Sequence, residues 1–198
     1  KKNYNVTGYD EMVQKGEQWM RDHALKEFNL TGQFEDQRME DLKPHQNLTN
    51  CTAIEYASYL LAKEKPTAEE IKDATDLVYF SEDQFAHWDI LPDENGFKPE
   101  ATPNVHEQYF YETPVDDSAS GVAMAFMWLY ERTGNKLCLA KAKALMDEIT
   151  LVQNPCTGQI PTTWEFNANL WDASRTYWVN CTFLDILQLM RLSQILDK

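Results

Sequence analysis

At 198 residues and 23.0 kDa, with 43% hydrophobic residues, the chain can bury the core of one domain. Its formal net charge of −14 and pI near 4.6 argue against a nucleic-acid or anionic-membrane surface, since phosphate groups demand a basic footprint. A neutral ligand such as a sugar is compatible with that charge.

Residues 1–8 show no periodicity and read as a flexible arm. Tyr9 to Phe28 is predicted as the first helix, with Met12, Gly16, Trp19, Met20 and His23 along one side and enough polar residues for an outer helix. Asn29 to His45 is a charged loop broken by Gly32. The second helix is predicted from Asn47 to Glu64, with Leu48, Cys51, Ile54, Tyr59 and Leu60 or Leu61 inward. Thr67 followed by Glu70 is a capping box that opens the third helix. Ile71, Ala74, Val78 and Phe85 carry that helix toward Trp88. From Asp89 to Asp117 the helical period is lost. Such long connections are usually functional or disordered, and Val105, Tyr109, Phe110 and Tyr111 need burial or a ligand. Part of the stretch is expected to pair as short strands.

Val122, Ala125, Phe126 and Leu129 recur three and four apart, which predicts a helix capped by Asp117 or Ser118 and ended by Gly134. The next helix, Lys136 to about Leu151, follows at once with Leu137, Ala140, Ala144, Leu145 and Ile149 on its face. A link that short makes an antiparallel αα-hairpin. Asn154 to Trp164 holds two prolines and a glycine, so it reads as a loop able to bind something polar. The last helix is predicted from Ser174 to Ile195, with Val179, Thr182 or Phe183, Ile186, Leu187, Met190 and Leu192 inward. The expected fold is therefore all-α, about six helices in three hairpins with long irregular loops, over residues 1–198 as one domain or part of one.

Cys51, Cys138, Cys156 and Cys181 include no CxxC pair, and His23, His45, His87 and His106 fall in no HExxH spacing. No metal or organic cofactor is implied. The cysteines serve either as small buried thiols or as two disulfides in an oxidising compartment. No apolar run approaches the roughly 20 residues of a membrane span. The start at Lys1-Lys2-Asn3 without Met is expected of a processed or partial chain.

Gly121 to Tyr130, Thr133-Gly134-Asn135, Ala140-Lys141-Ala142 and Gln153-Asn154-Pro155 with Thr157-Gly158-Gln159-Ile160-Pro161-Thr162 resemble the six-hairpin glycosidase-like proteins, as does Trp178-Val179-Asn180-Cys181. The resemblance covers most of Trp88 to the C-terminus and, more loosely, the first helices. It implies an α/α toroid, seen in glycoside hydrolases and polysaccharide lyases, of which this chain has room for three hairpins, the C-terminal half. Half a ring would leave apolar faces for a second copy or the absent half to cover. The resemblance also implies a bacterial, extracytoplasmic (periplasmic or secreted) carbohydrate-active protein, foremost a hydrolase. A glycan-binding protein without activity and a helical interaction module are the alternatives.

Glycoside hydrolysis uses two carboxyls, roughly 5 Å apart for retention and about 6.5–9.5 Å apart for inversion, one of them protonated. The catalytic candidates are Glu107 or Asp116 opposite Glu165. Glu107 and Glu165 lie beside aromatic residues, and Asp116 stands at a loop-to-helix junction. Equally, Asp116 and Asp117 would serve the helix end, and the glutamates would be solvated. The substrate-binding candidates are His87, Trp88, Tyr109, Tyr111, Asp117, Trp164, Trp171, Trp178 and Asn180. Large aromatics with a polar handle suit sugar faces, and equally suit a core.

Overall fold

A computed structural model describes residues 8–26, 30, 48–89, 102–108, 111–164 and 179–198, with backbone alone for 111–112 and 179–181. The chain divides into two compact units, Lys1–Leu48 and Thr49–Lys198. Most described residues are helical, in six α-helices, and a three-stranded sheet is added to the expected helices.

The first unit contains α1, Tyr9–Met20, which continues through a π-helical turn, Arg21–Leu25. Gly8, with φ 101°, opens α1 in the left-handed region that glycine occupies without strain. No α1 residue is buried; Tyr9, Met12, Val13 and Trp19 are exposed. Residues 1–7 of the expected arm lie outside the described residues.

The second unit is built from helices α2 (Asn50–Ala62), α3 (Ala68–Phe85), α4 (Asp116–Thr133), α5 (Lys136–Val152) and α6 (Val179–Leu196). Thr67 and Glu70 form the expected capping box, and Glu70 also pairs with Lys63 at 2.6 Å, closing the α2–α3 turn. Gly134 takes φ 70° at the end of α4, and the Asn135 side chain then caps α5, so the α4–α5 hairpin turns within two residues. The last helix is described from Val179; its predicted start at Ser174 lies outside the described residues.

Helices α2, α4 and α6 run parallel, side by side. Ile54 Cγ2 lies 3.6 Å from where a Cβ would stand on Gly121, while eleven residues on, Arg132 bonds to the Leu61 carbonyl at 2.8 Å and that of Lys63 at 2.7 Å. Both contacts advance in the same sense along α2 and α4. From α4 to α6, Asp116 faces Asp185, Gln188 Nε2 reaches Met124 Sδ at 3.4 Å, and Arg191 pairs with Glu131 at 2.5 Å. Trp128 receives the Arg191 guanidinium 3.5 Å from its ring centroid, fastening the far ends of α4 and α6 together. Helices α3 and α5 return on these three and are tied by the Lys141–Glu82 ion pair.

Three inward faces differ from expectation. On α2, Ile54, Leu60 and Leu61 are buried as expected, but Cys51 and Tyr59 are exposed and Ala53 and Ala57 point in. On α5 the buried residues include Cys138, Ala142, Leu145, Met146, Ile149 and Val152, and Leu137 is exposed. On α6, Leu192 is buried as expected, but Phe183, Ile186, Leu187 and Met190 point out and Asp185 and Ile195 point in. A helix apolar on every side has no unique face in its periodicity, so the partner decides; α4 takes the side that carries Asp185. Nor does Asp117 or Ser118 cap α4. The helix begins at Asp116, with Val115 as its N-cap residue.

The sheet holds β1 (Ala86–His87), β2 (Asn104–Gln108) and β3 (Tyr111–Pro114), all antiparallel, with β2 in the middle. His87 pairs with Asn104, His106 with Pro114, and Gln108 with Tyr111, with an irregularity between His106 and Gln108. A bridge from Thr49 to Gln108 ties in the start of α2, and one from Val115 to Thr163 ties in the later loop.

Candidate functional site

The best-defined chemistry lies where α4 begins. The Val115 amide donates to the Val105 carbonyl and the Asp116 amide to the Thr162 carbonyl, each at 3.0 Å, so the first turn of α4 is pinned between β2 and the loop before Trp164. That loop is held by its own polar groups. Asn154 Oδ1 accepts from the Cys156 and Thr157 amides, and Gly158, at φ 78°, donates to the Asn154 carbonyl. Its expected polar capacity is partly spent on this turn.

Asp116 is wholly buried, and across the helix interface so is Asp185. The Asp117 amide donates to Asp116 Oδ1 at 2.8 Å. Asp116 Oδ2 and both carboxylate oxygens of Asp185 meet no N–H or O–H donor of good geometry among the described residues. Two facing buried carboxylates cannot both stay ionised: like charges at about 4 Å repel by about 4 kcal/mol at an effective dielectric of 20. A proton on Asp116 resolves this, since it neutralises one group and supplies the missing donor. Burial first, and then the charge of Asp185, push Asp116 up to about 9. Burial raises Asp185 to about 6, offset by the approach of Ser120 and Asp116. The Ser120 hydroxyl donates to the Asp117 carbonyl at 3.3 Å, and its approach to Asp185 as a donor lowers that carboxyl. At neutral pH the pair thus carries one proton and one charge, and that charge sits near the positive N-terminal end of the α4 dipole.

Asp117 is the exposed member of this cluster, and its charge acts on both buried partners. Its own carboxyl is raised by loss of solvent on the protein side, although the side chain reaches water. The site therefore offers a protonated carboxylic acid, a buried carboxylate and a water-facing carboxylate at one helix N-terminus.

The other candidates are scattered. Glu107 is half-buried on β2, where its charge raises the exposed Cys51 thiol behind the larger effect of burial. His87 Nε2 lies 3.2 Å from His106 Nδ1, and His106 stands edge-on to Phe85 with its centroid 5.4 Å away. Burial, and then the charge of the neighbouring His87, lower His106 to about 4, so the His106 ring is neutral at neutral pH. Trp88 packs on Phe126, with the Lys141 ammonium 5.6 Å from its ring. Trp164 is fully enclosed, and its amide reaches the Pro114 carbonyl at 3.4 Å. The Tyr111 backbone pairs with Gln108, and Asn180 lies in the first turn of α6. The side chains of Tyr111 and Asn180, and all of Tyr109, Glu165, Trp171 and Trp178, lie outside the described residues. Among the described residues no group of three or more potential ligands could hold a metal ion. No described helix is long and apolar enough to cross a membrane. Cys51, Cys138 and Cys156 are unbridged.

Asp185 and Ser120 were not among the candidates. Asp185 had a signal: a lone acid within Phe183-Leu184-Asp185-Ile186-Leu187, where a charge is buried only with a partner. Glu148 is a second buried acid, on α5, with Oε1 meeting no partner among the described residues and the carboxyl pushed up to about 8 by burial. No protein-family model, no curated protein and no solved structure matches this chain.

Proposed function

We propose that the chain is a carbohydrate-active protein, a glycan hydrolase in which Asp116 and Asp185 hold a proton and Asp117 meets the substrate. The observation that carries this reading is the pair of wholly buried, facing carboxyls, because burial favours a proton on one beside a charge on the other, and a glycosidase needs one carboxyl protonated and another ionised at neutral pH. Asp116 and Asp185 interact too closely to lie on opposite sides of a glycosidic bond, whose flanking carboxyls stand at least about 5 Å apart. They act as one unit. The exposed Asp117 is the member able to touch a sugar, and Glu107 or Glu165 is the carboxylate for the opposite side. The parallel arrangement of α2, α4 and α6, with α3 and α5 returning behind, supports an inner wall of the six-hairpin kind. A bacterial, extracytoplasmic setting belongs to the same proposal.

Product release from a panel of neutral and acidic polysaccharides tests it. The reading expects turnover of at least one substrate, lost by at least about a hundredfold in Asp117→Asn, which keeps size and polarity. Binding without release would favour a glycan-binding protein. An interaction module is supported by one observation, the uncharged outward stripe of Phe183, Ile186, Leu187 and Met190 on α6. Such a stripe also fits the expected second copy or absent half-ring.

A further inference from the structure

Strands β1 and β2 bring two imidazoles together. His87 pairs in register with Asn104, and His106 lies two residues further along β2, so all three side chains leave the sheet on one face. His87 Nε2 stands 3.2 Å from His106 Nδ1. The His106 ring also donates to the Gln84 carbonyl. With Nδ1 turned to His87, the nitrogen that gives this bond is Nε2. The His106 lone pair is therefore at Nδ1, aimed at His87. An imidazole whose second nitrogen donates to a backbone carbonyl is held as metal-binding histidines are held. The spacing agrees: two nitrogens about 2.05 Å from one ion, at a tetrahedral angle, lie about 3.3 Å apart.

We propose that His87 and His106 bind one divalent transition-metal ion of the kind that prefers imidazole, Zn²⁺ foremost, with water in its remaining positions. The ion stands only about 1.3 Å off the line between the two nitrogens, so it needs no chamber of its own. His106 is 5% exposed but His87 is half-buried, and the ion is reached from the His87 side. On binding, His87 moves its proton from Nε2 to Nδ1 by exchange with water. Both rings stay neutral, and each gives one lone pair. Two protein nitrogens make an open site, in keeping with the lack of a third His, Cys, Asp or Glu ligand among the described residues. The net charge of −14 draws cations to the chain. An ion here ties β1 to the strand whose Val105 carbonyl holds the first turn of α4. The site stands independently of the glycan reading.

The test follows thermal unfolding of the full chain in ZnCl₂, NiCl₂ or MgCl₂. Zinc raises the melting temperature by at least about 4 °C once it exceeds its dissociation constant about a hundredfold. Nickel acts in the same direction, and magnesium, which prefers oxygen ligands, does not. Zinc also moves the ring ¹⁵N signals of both His87 and His106. His87→Gln and His106→Gln each cut the zinc-dependent rise to less than about 1 °C. If His106→Gln fails to fold at its buried position, the half-buried His87→Gln decides. No rise with zinc or nickel overturns the site. A rise that survives in His87→Gln overturns it too, because it places the ion on other groups, such as the exposed Cys51 and Cys156. Ring signals of His87 and His106 unmoved by zinc overturn it equally.

Discussion

Asp116 on α4 and Asp185 on α6 face one another in the protein interior, and three of their four carboxylate oxygens meet no well-placed donor among the described residues. The proton that Asp116 takes up joins two neighbouring helices and stores acid chemistry at the same point.

Asp116→Asn is expected to separate these roles. The asparagine amide replaces the proton as donor to Asp185, so folding at pH 7 is kept or improved. Turnover falls by about a hundredfold or more. In the native chain, Asp116 binds its proton more tightly folded than unfolded. Its stabilisation is thus full below pH 4 and is lost as pH rises toward 9. Urea unfolding at pH 5, 7 and 9 should show that slope in the native chain and a smaller one in the variant.

Glu148 gives a second, independent pH effect. Its carboxyl is raised to about 8, so its contribution is full below the unfolded value near 4.5 and fades as pH climbs through 8. Glu148→Gln removes the cost of ionising a buried acid. Its melting temperature at pH 8.5 should exceed that of the native chain by at least about 3 °C, with little difference at pH 5. Differential scanning calorimetry at the two pH values reads this directly.

His106 has the opposite sign. Lowered to about 4, it is neutral in the folded chain and charged in the unfolded one over the interval up to 6.5. Its stabilisation is full above 6.5 and is lost as pH falls toward 4. NMR titration should find the His106 ring neutral at pH 5.5. A ring already charged there would remove this source of acid sensitivity.

Arg132 closes the carbonyl end of α2 with two hydrogen bonds while lying against Trp128. Arg132→Ala should cost about 2–3 kcal/mol in urea unfolding, since charged hydrogen bonds to helix-end carbonyls are the stronger kind. Lysine cannot reproduce the planar fork, and Arg132→Lys should recover less than half of that loss.

Phe183 and Met190 lie outward on the uncharged side of α6. If that stripe joins two copies, Met190→Glu should shift sedimentation toward monomer and leave the melting temperature of dilute protein within about 2 °C, as expected for a surface position. A native chain that sediments as monomer at every concentration sinks the self-association reading.

Local rules alone determined much of this protein. Thr67 and Glu70 announce a capping box, Gly134 ends a helix because only a left-handed residue fits there, and the apolar period of Val122 to Leu129 fixes a helix. These depend on neighbours within one turn, so they are legible in a line of letters. The α4 cap was not, because Asp116 turned inward as the first residue of the helix and left Val115 at the cap position. The face of α6 was not either: with apolar residues all around it, only contact with α4 could choose which side to bury. That contact brings Asp185 to Asp116, 69 positions earlier in the chain. No spacing rule reaches across such a separation. The sequence supplied two acids, each set beside apolar residues; the packing of parallel helices made them share a proton.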